Sequence, residues 1–163
     1  MKQSIVLIGP MGSGKTTLGK KLAVELNVDF VDTDKIIAKH HGAITRIFET
    51  KGEPYFRELE TKALEKALKT RGVIATGGGA VMSEVNQTLI RNHHVVFLDT
   101  TAEHVLGKIN LEKRPLLKDN PGKWQEIYDQ RVDTYKSLAD QVVFTGGKGI
   151  KSLIEAIREG LEK

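Results

Sequence analysis

Residues 9–17 read Gly-Pro-Met-Gly-Ser-Gly-Lys-Thr-Thr, the pattern G-x-x-x-x-G-K-[ST]. Few local folds accommodate such a loop. Its glycines let backbone N–H groups turn toward phosphate oxygens, and it must open a helix whose N-terminus completes the anion site. The flanks agree with this. Residues 4–8 (Ser-Ile-Val-Leu-Ile) are a short apolar run of strand type, and Leu18, Leu22, Ala23 and Leu26 share one face of a helix over 15–26. Strand, loop and helix in that order separate a phosphate cradle from a glycine-rich turn. In that role Gly12, Ser13, Gly14, Lys15, Thr16 and Thr17 contact the nucleotide phosphates. Lys15 reaches the β- and γ-phosphates, and the Thr16 hydroxyl ligates Mg²⁺.

Beyond this unit, strand-like and helical runs alternate. Strands are expected at 28–31, 73–76, 95–98 and 142–145. Helices are expected at 34–41, around Ile44, Ile47 and Phe48, and at 54–69, 84–91, 101–109, 123–138 and 150–161. Five strands alternating with helices predict an α/β fold, a three-layer α/β/α sandwich on a five-stranded parallel sheet. A chain of 163 residues suits a single domain over 1–163. The polar, proline-bearing stretch 110–122 is long enough to serve as a mobile lid.

The net charge of +4 fits a phosphorylated or carboxylated substrate as well as nucleic acid. No Lys/Arg block of the kind that forms an interaction tail is present, so no nucleic-acid partner is expected. Without cysteine there are no disulfides and no thiolate metal sites. No apolar run approaches the roughly 20 residues needed to span a bilayer, and the N-terminus reads as strand rather than signal peptide. A cytoplasmic protein with no membrane contact is expected.

The remaining chemistry gathers in a few places. Asp32-Thr33-Asp34 follows the second strand, at the edge where open α/β sheets bind ligands. One carboxylate there suits Mg²⁺ through water and another suits a substrate hydroxyl; the alternative is an N-cap for the next helix. On the helix over 54–69 the apolar stripe is Phe56, Leu59, Ala63, Leu64, Ala67 and Leu68, with Glu60 near its centre and Arg57 at its edge. On the helix over 123–138, Arg131 lies near the middle of a stripe made by Trp124, Ile127, Tyr128, Val132, Tyr135 and Leu138. Inward charges are costly unless paired. Arg57 and Glu60 can pair, whereas Arg131 has no evident partner on its own helix. It is a candidate for an anionic ligand or for a salt bridge elsewhere in the fold. Gly77-Gly78-Gly79 allows close approach to the backbone or makes a tight turn. Arg114, in the lid stretch, is placed to close on a phosphoryl group or to stay solvated. The pairs His40-His41 and His93-His94 diverge on a helix and read as ordinary surface or element-end residues.

Taken together, these residues resemble the shikimate kinase family over essentially the whole chain. The motifs are the phosphate loop, Asp32-Thr33-Asp34, Gly52-Glu53-Pro54-Tyr55-Phe56-Arg57-Glu58-Leu59-Glu60, Gly77-Gly78-Gly79-Ala80-Val81, Arg114-Pro115-Leu116-Leu117 and Arg131-Val132-Asp133-Thr134-Tyr135. The resemblance implies a P-loop kinase fold and ATP-dependent phosphorylation of the shikimate 3-hydroxyl, on the way to chorismate. It implies that Asp34 binds the shikimate hydroxyls and acts as base. Arg57 and Arg131 grip the carboxylate, Gly78 and Gly79 add contacts, and Glu60 orients Arg57. Arg114 swings onto the phosphates, and Asp32 holds Mg²⁺ through water beside Thr16. It also implies a monomer, with the acceptor bound mainly by about 33–62. Two stretches depart from the family pattern. Lys108 stands near the start of the lid where an arginine is usual, and Thr145-Gly146-Gly147-Lys148-Gly149 lacks the proline of many adenine loops. A gluconate kinase and a non-catalytic P-loop module are the alternative readings. Turnover with shikimate but not with gluconate or without acceptor separates them.

Overall fold

Four consecutive buried residues form β1, Ile5–Ile8. A strand with no exposed face needs cover on both sides. In the computed structural model, which describes residues 3–106 and 122–163, that strand is the middle of a five-stranded sheet. Its companions are β2 (Phe30–Asp32), β3 (Val73–Ala75), β4 (His94–Asp99) and β5 (Gln141–Phe144), in the order β2-β3-β1-β4-β5. Every pairing is parallel; Ile5 faces Val73 on one side and His94 on the other.

Helices cover both faces. The first, α1 (Lys15–Leu26), packs Leu18 and Leu22 with Ile154 and Ile157 of the last, α8 (Ile150–Leu161). The order between them is α2 (Thr33–His41), α3 (Ile44–Lys51), α4 (Glu53–Leu68), α5 (Glu84–Arg91), α6 (Ala102–Leu106) and α7 (Lys123–Leu138). The opposite face is closed by Leu64, Ile90, Tyr135 and Leu138 from α4, α5 and α7, with Phe97 and Tyr135 rings stacked 5.0 Å apart. A smaller, separate core of Ile37, Ile47, Phe56, Leu59 and Ala63 joins α2, α3 and α4 to one side of the sheet.

The three-layer arrangement is the one expected from the alternation, with shifted edges. The second strand starts at Phe30 rather than 28. Asn27 adopts a left-handed φ of 55°, and the Val28 N–H returns to the Ala23 carbonyl at 3.0 Å. Both belong to a helix C-terminal cap, so Val28 closes α1 instead of opening β2. The fourth strand runs longer than expected, because the His94 N–H continues the ladder to Ser4 O at 3.1 Å. The predicted helix over 101–109 is seen as α6. Residues 107–109 and the lid stretch, apart from Gly122, lie outside the described residues.

Candidate active site

Because all strands run parallel, their carboxyl ends share one edge of the sheet, and the loops there build the site. The phosphate loop leaves β1 and enters α1 at Gly14, whose φ of 96° is left-handed and favours glycine. The first turn of α1 holds no acidic residue, so its partial positive charge is open to an anion. Lys15 Nζ donates to the carbonyls of Gly9 at 2.6 Å and Pro10 at 2.9 Å, within the loop it serves. Two contacts from distant elements hold the loop in shape. Trp124 Nε1 of α7 donates to Met11 O at 2.9 Å, and Thr145 Oγ1 donates to Ser13 O at 2.9 Å.

Asp32 ends β2 and performs two tasks at once. Its Oδ1 accepts from Lys35 N at 3.2 Å, capping α2, while Oδ2 accepts from the Thr16 hydroxyl at 2.6 Å. The capping reading and the metal-side reading therefore describe different oxygens of one carboxylate. Among the described residues no three His, Asp or Glu side chains gather to hold a metal by themselves. Thr16 and Asp32 suit an ion that takes most of its ligands from phosphates and water, as Mg²⁺ does.

A cleft of about 690 Å³ runs from the phosphate loop past Asp32 and Asp34 to Gly77 and Gly78. The glycine segment does more than turn the chain: each glycine makes room for a charged side chain. A Cβ on Gly77 would lie 2.8 Å from Asp34 Oδ1 and 2.9 Å from Glu60 Oε2. On Gly78 it would meet Arg131 Nη1 at 3.4 Å, and on Gly79 it would strike the Arg57 guanidinium at 2.5 Å. The protein's own side chains thus approach these glycines closely, and Asp34, Glu60, Arg131 and Arg57 meet around three consecutive residues.

Arg57 bonds Glu60 Oε1 at 2.9 Å, as its spacing predicts, and also Glu53 Oε2 at 3.2 Å. Burial works against its charge, but these two carboxylates outweigh that and hold the guanidinium above its ordinary pKa. Glu60 is 1% exposed. Burial, abetted by Asp34 and opposed by Arg57 and Arg131, raises its carboxyl to about 7. Arg131 is buried on α7, and here the structure corrects the sequence reading. It does have a partner on its own helix, the Tyr135 hydroxyl one turn on. That hydroxyl donates to Gly78 O, and burial pushes its pKa up to about 12.

The histidines stay outside the site. His40 and His41 are exposed at the end of α2, His93 Nδ1 accepts from Ser4 N, and His94 contacts Gln141. Arg114 and Lys108 lie outside the described residues.

Residues 11–162 match the family model for shikimate kinase. The chain belongs to the shikimate kinase family. It is 42% identical to a shikimate kinase of Pseudomonas paraeruginosa, over 98% of this chain and 96% of that one. It is 39% identical to one of Vibrio parahaemolyticus, over 99% and 98%. Among solved structures, a shikimate kinase from Acinetobacter baumannii in complex with shikimate superposes with a TM-score of 0.94. That pair is 34% identical over 98% of this chain and 93% of that one. A gluconokinase from Sinorhizobium meliloti shares the fold at TM-score 0.59 and 16% identity, over 98% and 91%.

Within this family framework several contributors escaped the sequence reading. Glu53 enters the sequence reading only as one letter of the Gly52–Glu60 motif, although its i,i+4 spacing to Arg57 is a usable signal. Tyr135 reads as core, and the carbonyl that accepts from its hydroxyl lies 57 residues away. The Trp124–Met11 bond spans 113 residues and leaves no local trace.

Proposed function

We propose that the chain transfers the γ-phosphoryl group of ATP to the 3-hydroxyl of shikimate. The observation that carries this reading is the gathering of Arg57, Arg131, Asp34 and Glu60 around Gly77–Gly79, across the cleft from the phosphate loop. In this reading the two arginines grip the acceptor carboxylate, with Gly78 and Gly79 lining that end, and Glu60 holds Arg57 in place. Asp34 accepts the proton of the attacking hydroxyl. The loop residues Gly12 to Thr17 hold the ATP phosphates, and Lys15 exchanges its carbonyl partners for the β- and γ-oxygens. Thr16 and Asp32, the latter through water, hold Mg²⁺, which when bound offsets charge on the phosphates. Arg114 closes onto the transferring group while the lid excludes water. Positioning and charge neutralisation supply the catalysis, since phosphoryl transfer asks little covalent chemistry of the protein.

The chain is read as a monomeric cytoplasmic enzyme of one domain. Its lack of cysteine supports that location, and no described helix is long and apolar enough to cross a membrane. A coupled ADP-release assay tests the function. Turnover is expected with shikimate and not with gluconate or without acceptor. ADP release at equal rates in all three would overturn the reading.

A further inference from the structure

Glu60 presents an unused oxygen. Its Oε1 takes the hydrogen bond from Arg57 Nη1, but Oε2 is buried and meets no donor among the described residues. That oxygen and Asp34 Oδ1 both lie within 2.9 Å of the position a Gly77 Cβ would take, so two carboxyl groups converge on the space this glycine leaves open. The charged and titratable groups facing Glu60 are Asp34 from α2, Arg57 from its own helix, and Arg131 and the Tyr135 hydroxyl from α7. From α3 come the apolar Ile47 and Phe48; α5 brings the neutral Asn86, bonded to Thr61 and Ala80 O. Two guanidinium groups thus stand against the carboxyl groups of Glu60 and Asp34 beside the cleft, with Glu53 a further partner of Arg57 on its exposed side.

A further anion upsets that balance. The proposed function, on which this inference rests, brings the acceptor carboxylate between Arg57 and Arg131. Arg57 is then shared between the newcomer and Glu60. A buried charge that loses part of its counter-ion is neutralised rather than left exposed to its own field. We propose that Glu60 takes up a proton from solvent when the acceptor carboxylate binds, freeing Arg57 for the acceptor, and returns it on release. The neutral acid then has an O–H to direct from Oε2 toward Asp34. Glu60 is in this sense a positioning residue whose protonation is part of acceptor binding. Its burial already lifts the carboxyl to about 7, so the proton is within reach of neutral solution.

The sign follows from linkage. Below pH 7 Glu60 carries its proton before and after binding, and acceptor affinity is flat. Above pH 7 binding must recruit the proton, so the shikimate Kd climbs by up to about tenfold per pH unit until the bound-state pKa is passed. The test is calorimetric titration of shikimate into the full nucleotide-free chain at pH 8, in phosphate and in Tris, whose ionisation enthalpies differ. The expected result is a buffer-dependent heat that reports proton uptake, with Kd rising about fivefold between pH 7 and 8. Glu60→Gln is expected to lose both effects. Infrared difference spectra of the wild-type chain provide a readout independent of any variant. Shikimate should bring up a protonated-carboxyl band that shifts on ¹³C-glutamate labelling. Equal heats in the two buffers, uptake retained in Glu60→Gln, or a band that ignores the label each overturn the proposal. A wild-type chain giving no heat with shikimate in any buffer sinks the proposed function itself, and this inference with it.

Discussion

At the scale of single residues, the site depends on what glycine leaves out. Gly79 has an ordinary φ of −97°, so alanine there costs no backbone strain. Its methyl group would nevertheless occupy the space of the Arg57 guanidinium. Gly79→Ala is therefore expected to raise the KM for shikimate roughly tenfold, the loss of about one charge-assisted hydrogen bond. The KM for ATP and the melting temperature should hardly move. Arg131→Ala is expected to weaken shikimate binding by about 2 kcal/mol or more while leaving ATP affinity nearly intact, as measured by equilibrium titration of each ligand. Unchanged shikimate affinity in that variant would refute the carboxylate assignment. Lys15→Ala should lower kcat roughly 100-fold or more, because its ammonium meets charge that grows during transfer. Steady-state rates at saturating substrate check this.

At the scale of elements, α7 is the member that connects the two halves of the site. Trp124, Tyr128, Arg131 and Tyr135 recur at helical spacing on one face. From it Trp124 grips Met11 in the phosphate loop, and Tyr135 grips Gly78 in the glycine segment. Replacing Trp124 by Phe keeps most of the ring contact with Tyr128, stacked at 5.2 Å, but removes the donor to Met11 O. A net hydrogen-bond contribution of about 1 kcal/mol predicts a roughly fivefold rise in the KM for ATP, with the shikimate KM much less affected. Equal changes in both would mean that α7 had shifted as a whole.

This helix also marks how far the sequence could be read. The inward position of Arg131 follows from a 100° projection, and so does that of Glu60 on α4. The phosphate loop and the strand–helix alternation are equally local signals. What Arg131 touches is not local: Gly78 belongs to the turn after β3, and only the folded sheet brings it under α7. The β2 edge differs for a similar reason: Val28 looks like the first apolar residue of a strand, and only its N–H bond to Ala23 O shows that it closes α1. The departure at Lys108 falls outside the described residues, whereas the one at 145–149 is described: Gly147 there takes a left-handed φ of 70°.

At the scale of the whole molecule, pH acts through groups well away from the cleft as well as within it. His93 is held below its ordinary pKa by burial, and its Nδ1 must stay unprotonated to accept from Ser4 N at 2.9 Å. Such a histidine adds stability above its unfolded pKa of about 6.5 and loses it as pH falls through that value toward the lower folded pKa. Glu60 leans the other way, since a carboxyl raised to about 7 favours the folded state as pH falls from 7 toward its unfolded value. The contribution of His93 is therefore best read by difference. His93→Asn retains an acceptor but cannot titrate. Its melting temperature should fall less than the wild type's between pH 7 and 5.5. Parallel curves of melting temperature against pH would show that His93 titrates alike in the folded and unfolded states, against this reading.

The small core of Ile37, Ile47, Phe56, Leu59 and Ala63 stands apart from the two that sandwich the sheet. The helices it unites carry Asp34, Arg57 and Glu60, and none of them supplies the phosphate loop. In the proposed reading, part of acceptor recognition is thus grouped in the stretch of about forty residues between β2 and β3, while Arg131 reaches the same place from α7. The first half of α4 serves this small core while Leu64, Ala67 and Leu68 pack on the sheet, so a single helix ties the acceptor side to the frame that carries the phosphate loop.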